Sequence, residues 1–305
     1  MTFSGVFSVL PTPFTSGGEL DLQSLGRVIE LYIRSGVNGL TALGVTSETA
    51  RLSDAEKSTV LETVTRQVNK RVPVIVGTST DGLHTSIELS LKAKDLGASA
   101  VMVSPPRMPK LNSEAIVNHY RRLSAAIDLP IVIQDYPPVS GFTMEPALLA
   151  TIASEVPAAR TIKLEDPPTP LKIARVLELS DGVPLSVLGG LGGTYLLEEL
   201  LSGASGSMTG FAVPELLVKV VRLFGSGDRD QAADLFYRTV ALMRFEFQES
   251  VGLAIRKEIL RHRGAMTSSF VRSPGVQMDV LTRSALDSLL KWFLDQNSEI
   301  GWILD

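Results

Sequence analysis

Cysteine is missing from all 305 residues, which excludes disulfides, thiol nucleophiles and thiolate zinc sites and agrees with a reducing compartment. Histidine is scarce: His84, His119 and His262 lie far apart in helix-like segments, and none has the pair spacing of a metal site. No apolar run approaches the roughly 18 to 20 residues that a membrane helix needs. The apolar stretch from 5 to 14 lacks a basic lead-in and is broken by Pro11 and Pro13, so it reads as a strand and not a signal peptide. A cytoplasmic protein with no membrane partner is expected. Positive charge is not in excess either. The net charge is -4 and Lys and Arg form no stripe, so the field that attracts nucleic acid is absent.

What is present is a globular composition, 44% apolar and 20% charged, without low-complexity tracts. Eight short apolar or β-branched runs recur along the chain: GVFSVLPTPF from residue 5, GLTALG from 39, VPVIVGT from 72, SAVMVSPP from 99, PIVIQDYP from 130, ARTIKLE from 159, PLSVLGG from 184 and GSMTGFAV from 206. Helix-period segments separate them, such as 20–34, 53–67 and 84–96. Ser53 followed by Glu56, with Leu52 ahead, matches a capping box. Near-continuous apolar strands alternating with amphipathic helices imply a parallel sheet covered on both faces, and eight such units close into a (β/α)8 TIM barrel. An open doubly wound sheet would place a GxGxxG after the first strand, and none is there.

After Pro214 the pattern turns helical, at 216–224, 231–247, 253–262 and 285–294, with a connector at 264–278 that carries Thr267, Ser268, Pro274 and Gly275. The expected division is a barrel over 1–224 and a C-terminal helical extension over 225–305.

In such a barrel the active site sits at the C-terminal ends of the strands. Lys163 stands out, as the one lysine of ten inside a strand candidate, flanked by Ile162 and Leu164. Burial favours the uncharged amine, the form that attacks a carbonyl, and the resulting imine with a 2-keto acid makes the C3 proton acidic or a C3–C4 bond cleavable. The alternative is a core lysine paired with Glu165 or Glu48. The second strand ends in Gly44, Val45, Thr46, Ser47 and Glu48, where the hydroxyls and backbone N–H groups of Thr46 and Ser47 can hold a carboxylate, although an ordinary turn would use the same residues. In the fifth run Asp135 shares a face with Ile131 and Ile133, and Gln134 shares the other with Val132; periodicity leaves open which face lines the barrel. An inward Asp135 would serve in proton transfer or neutralise Lys163. Tyr136 is a strand-end tyrosine with either a site role or a packing role. Gly190, within the glycine-rich turn 189–193, suits close approach of substrate to backbone, and Arg107 after the fourth strand either meets a substrate carboxylate or is solvated.

The chain resembles the dihydrodipicolinate synthase and N-acetylneuraminate lyase superfamily of class I aldolases over nearly its whole length. The resemblance rests on TPF at 12–14, on Gly44 to Glu48 followed by Leu52, Ser53 and Glu56, on Ile162-Lys163, and on the glycine-rich run 203–210. It implies that Lys163 forms the Schiff base, that Thr46 and Ser47 hold the keto-acid carboxylate, that Met208 in the eighth strand joins the substrate-binding set, and that the protein is a homotetramer. Departures are equally specific. The family's relay tyrosine falls at Gln134, the synthases' second tyrosine at Arg107, and a relay threonine at Val45, while Val139, Ser140 and Gly141 stand where the synthases place an arginine. Ser47-Glu48, Gln134-Asp135 and 138–141 are instead similar to the L-2-keto-3-deoxyarabonate dehydratase branch.

The resulting expectation is a lyase that dehydrates a 2-keto-3-deoxy sugar acid, with Lys163 as nucleophile, Asp135 in proton transfer and Gln134 orienting the substrate or a water. Alternatives are a pyruvate-dependent aldolase, a dihydrodipicolinate synthase-like condensation, or, from another class, a barrel that binds a keto acid without catalysis. No metal or diffusible cofactor is implied, because the imine is itself the electron sink.

Overall fold

The computed structural model describes residues 2–297. Eight parallel strands, β1 Gly5–Val9, β2 Gly39–Ala42, β3 Val74–Gly77, β4 Ala100–Val103, β5 Ile131–Asp135, β6 Thr161–Leu164, β7 Ser186–Gly189 and β8 Gly206–Thr209, close into a barrel in sequence order. Each of the eight apolar runs contributes one of them. The strands are buried on both faces, which is why they lack the polar alternation of a half-exposed sheet.

The inner face is filled by Phe3, Phe7, Ile75, Ala100, Met102, Val132, Leu188 and Met208. Phe3 closes the N-terminal end, where its N–H donates to Thr161 Oγ1 and its carbonyl accepts from the Ser186 hydroxyl. The outer strand face packs against the ring α1 Leu22–Arg34, α2 Asp54–Val68, α3 Leu83–Asp95, α4 Ser113–Ala126, a short α5 Pro137–Ser140, α6 Pro146–Glu155, α7 Thr169–Leu179, α8 Leu196–Leu201 and α9 Pro214–Gly225.

Caps set several helix starts. Asp21 accepts from Ser24 N, so α1 begins at Leu22 and not at residue 20 where the apolar period begins. Ser53 and Glu56 form the expected capping box of α2. After α9 come α10 Arg229–Glu246, α11 Gly252–His262 and α12 Val280–Gln296. Asp279 caps α12 by accepting from Thr282 N, which starts this helix ahead of its apolar stripe at 285. The expected extension runs to 305, and 298–305 lie outside the described residues.

Candidate active site

Strand register decides what faces the barrel axis. Val132 belongs to the inner cluster, so Gln134, two residues on, also points inward, directly beside Lys163 across the β5–β6 pair. Lys163 in turn neighbours Leu188 of the inner cluster across β6–β7. Glu165, two residues past Lys163, continues the same face.

These three side chains meet. Glu165 Oε2 lies 3.1 Å from Lys163 Nζ and accepts from Gln134 Nε2 at 3.0 Å. Gln134 Oε1 accepts from the Ser104 hydroxyl at 3.1 Å, and Ser104 N donates to Ser79 Oγ. Lys163 and Glu165 are 5% and 9% exposed, a burial that an ammonium and a carboxylate tolerate only when paired and hydrogen-bonded. Gly190 packs against this carboxylate: a Cβ there would lie 2.3 Å from Glu165 Cγ. The close approach expected at Gly190 is therefore made by Glu165.

Asp135 requires a correction. It faces outward, opposite Leu164, and pairs with Lys172 of α7 at 2.6 Å, behind the barrel wall and away from Lys163. Lys172 is shared with Asp166 at 2.7 Å. Burial pushes the Asp135 carboxyl up to about 6 against the pull of Lys172, with Asp166 and Glu165 adding to the rise. Sequence periodicity could not choose between the two faces of β5 because both are buried.

The turn after β2 is a 3-10 helix, Val45–Ser47. Ser47 N donates to Gly44 O, so the N–H groups of Val45 and Thr46 precede the first bond of the turn and have no acceptor within it. Thr46 is half-buried at this point. The Ser47 hydroxyl donates to Leu10 O at 2.5 Å and accepts from Gly44 N at 3.1 Å. Ser47, expected to hold a carboxylate, is 1% exposed and shapes the turn instead. Glu48 is not a partner of Lys163, since its carboxylate is taken by Lys257 and Arg51.

Tyr136 is half-buried, and burial pushes its phenol up, as do the charges of Glu165 and Glu249. Met208 is fully buried in the inner cluster beside Phe7. Arg107 is exposed at the rim, over Gly141, and lines an open cleft with Lys110 and Phe142. A cavity of about 320 Å³ opens at the C-terminal ends of the strands, with Gly44, Val45, Ser79, Met102, Gln134 and Val139 in its wall. That is within the range of pockets for small ligands, about 300–1,000 Å³.

Glu165 is the residue that sequence reasoning undervalued, treating it as a partner that would merely neutralise a core lysine. The signal was available: an interval of two from Lys163 puts both on one face. Ser79 and Ser104 carried no such signal, because the polar chain they form with Gln134 crosses three strand ends.

The dihydrodipicolinate synthetase family matches residues 2–292. The chain is 32% identical, over 92% of each sequence, to an L-2-keto-3-deoxyarabonate dehydratase of Azospirillum brasilense. Among solved structures, a dihydrodipicolinate synthase from Rhodopseudomonas palustris superposes with a TM-score of 0.89 at 37% identity, covering 95% of this chain and 97% of that one. YagE, a prophage protein from E. coli K12 solved in complex with pyruvate and assigned to the dihydrodipicolinic acid synthase family, gives 0.89 at 25% identity, covering 95% and 98%. With its closed barrel, its inward lysine on β6 and these relatives, the chain belongs to the dihydrodipicolinate synthetase family and is a lyase of that superfamily.

Proposed function

We propose that the protein dehydrates a 2-keto-3-deoxy sugar acid through an imine on Lys163. The observation that carries this reading is the carboxylate of Glu165, which bridges Lys163 and Gln134 inside the barrel mouth. The Lys163 amine adds to the C2 carbonyl and water leaves, giving an iminium that withdraws electrons from C3. Glu165 takes the C3 proton, leaving an enamine. Electrons returning from the enamine expel the C4 hydroxyl, which departs as water once Glu165 returns a proton to it. Hydrolysis of the C3–C4 unsaturated imine then frees the lysine.

Glu165 thus replaces Asp135 in the proton-transfer role, and Gln134, which cannot exchange protons readily, orients that carboxylate. Thr46 and the open N–H groups at the start of its turn are the carboxylate ligands in this reading. The 32% identity to a dehydratase and the pyruvate complex of the E. coli neighbour support it. The protein is read as a cytoplasmic homotetramer on the resemblance to its superfamily; sedimentation measures the assembly. No helix among the described residues is long and apolar enough to cross a membrane.

The test is intact mass after borohydride reduction with pyruvate and with 2-keto-3-deoxyarabonate, alongside turnover. The unaltered protein should gain the mass of each reduced adduct, the sugar-acid adduct having lost water, and Lys163→Ala should gain none. Glu165→Gln should still trap pyruvate but lose about 10²- to 10⁴-fold in turnover, the usual contribution of a positioned acid–base group. An adduct of the sugar acid cleaved to the pyruvyl mass would overturn dehydration in favour of retro-aldol cleavage. No adduct with either compound would overturn the imine itself.

A further inference from the structure

The carboxylate-binding turn is held from outside the barrel. Glu48 ends it in the left-handed backbone region, at φ +59°, a conformation that a glutamate adopts only when its surroundings impose it. Glu48 is 3% exposed, and its carboxylate has three partners. Arg51 Nη1 lies at 2.8 Å, the backbone N–H of Arg272 at 2.9 Å, and the third is Lys257 Nζ from α11. Lys257 is fully buried, donates also to Phe270 O at 2.8 Å, and sits 4.5 Å from the centre of the Phe14 ring.

The guanidinium of Arg272 also stacks on Phe14, at 4.3 Å. It then reaches Arg51 O at 3.1 Å and both oxygens of Glu56, the residue that completes the cap of α2. Lys257 and Arg272 belong to the part of the chain after the barrel, yet besides Phe270 O their partners lie in the segment just after Thr46, at Glu48, Arg51 and Glu56, and in the loop after β1, at Phe14 and Gly18. A clamp that served only to dock α11 would not need to converge on Glu48, the left-handed residue that ends this turn, just as Leu43, at φ +54°, precedes it.

We propose that Lys257 is a positioning residue for substrate binding: through Glu48 it fixes the turn that presents Thr46 and the open N–H groups to the substrate carboxylate. The inference rests on the imine reading above. Removing the ammonium leaves Glu48 buried with fewer cationic partners, and the turn relaxes.

The experiment compares second-order borohydride-trapping rates for pyruvate and for hydroxyacetone, a ketone without a carboxylate, in the unaltered protein and in Lys257→Met. Misplacing one charge-assisted contact to the carboxylate corresponds to about tenfold. The expected result is a pyruvate rate lower by about tenfold or more, with the hydroxyacetone rate held within about twofold. Equal loss for both ketones would mean general damage and overturn the proposal, as would no loss for either. Arg272→Gln, at a partly exposed side chain, carries the same expectation should Lys257→Met fail to fold. If the unaltered protein traps pyruvate and the ratio does not move, the positioning role fails while the imine stands; if it traps no pyruvate, both fail.

Discussion

Glu199 of α8 lies directly behind β7, the strand that follows Lys163 of β6. It is fully buried; Thr169 Oγ1 donates to its Oε1 at 2.6 Å, and a Cβ on Gly189 would stand 1.7 Å from its Oε2. The glycine is thus required by the carboxyl, as Gly190 is by Glu165, so two adjacent glycines of the turn serve two carboxyl groups. Burial pushes Glu199 up to about 7, opposed by Thr169 and aided by the charges of Glu198 and Glu165. A carboxyl with a raised folded-state value holds its proton more tightly folded than unfolded. Its stabilising contribution is therefore complete below the ordinary value of about 4.5 and is lost as pH rises through about 7. Glu199→Gln keeps the acceptor for Thr169 and removes the titration. The variant should match the unaltered protein in thermal unfolding near pH 4 and exceed it near pH 8, by on the order of 1–3 kcal/mol. A stability difference independent of pH would refute the assignment.

Between elements, the instructive contact is the one that displaced Asp135 from the site. Lys172 of α7 bridges Asp135 and Asp166, so this ion triad fixes α7 against β5 and the segment after β6. Lys172→Met leaves Asp135 buried and unpaired, at a cost of about 3–5 kcal/mol, whereas adding Asp135→Asn should recover most of that loss. Chemical denaturation of the single and double variants measures the coupling; additive losses would mean that the pair does not hold the two layers together. The eight strands were legible in the sequence because each reads as an apolar run between helix-period segments, and so was Lys163, whose charge is anomalous in such a run. The inward face of β5 was not. In a strand covered on both sides, Gln134 and Asp135 sit in equally apolar alternations, and only the register against β6 separates them. Glu165 was visible by spacing but ambiguous in role, and the clamp from Lys257 to Glu48, 209 residues apart, has no local signature at all.

At the scale of the whole molecule, the helices after α9 are joined to the barrel by buried charge as well as by apolar packing. Arg263, fully buried beyond α11, bonds Glu215 of α9 at 2.5 Å and the carbonyl of Ala212. Arg256 pairs with Glu246 at 2.6 Å, and Glu246 accepts from Ala212 N at 2.9 Å. Arg256 also stands where a Cβ on Gly210 would be, 2.0 Å from its Nη1. These groups meet at the segment leaving β8, so opening the extension alone would leave charges stranded on the barrel surface. Chains of this length commonly unfold in stages, but this arrangement predicts a single transition. Trp292 lies on α12, so the fluorescence of a Trp302→Phe background, whose remaining tryptophan is Trp292, reports on the extension while far-UV circular dichroism reports largely on the barrel. The two midpoints in guanidinium should coincide. Arg263→Gln should shift both together, by about 3–5 kcal/mol, because it strands Glu215 and Ala212 O at the shared seam. A fluorescence transition that precedes the dichroism change would instead make the extension a separately unfolding unit, with the seam contributing little to the barrel.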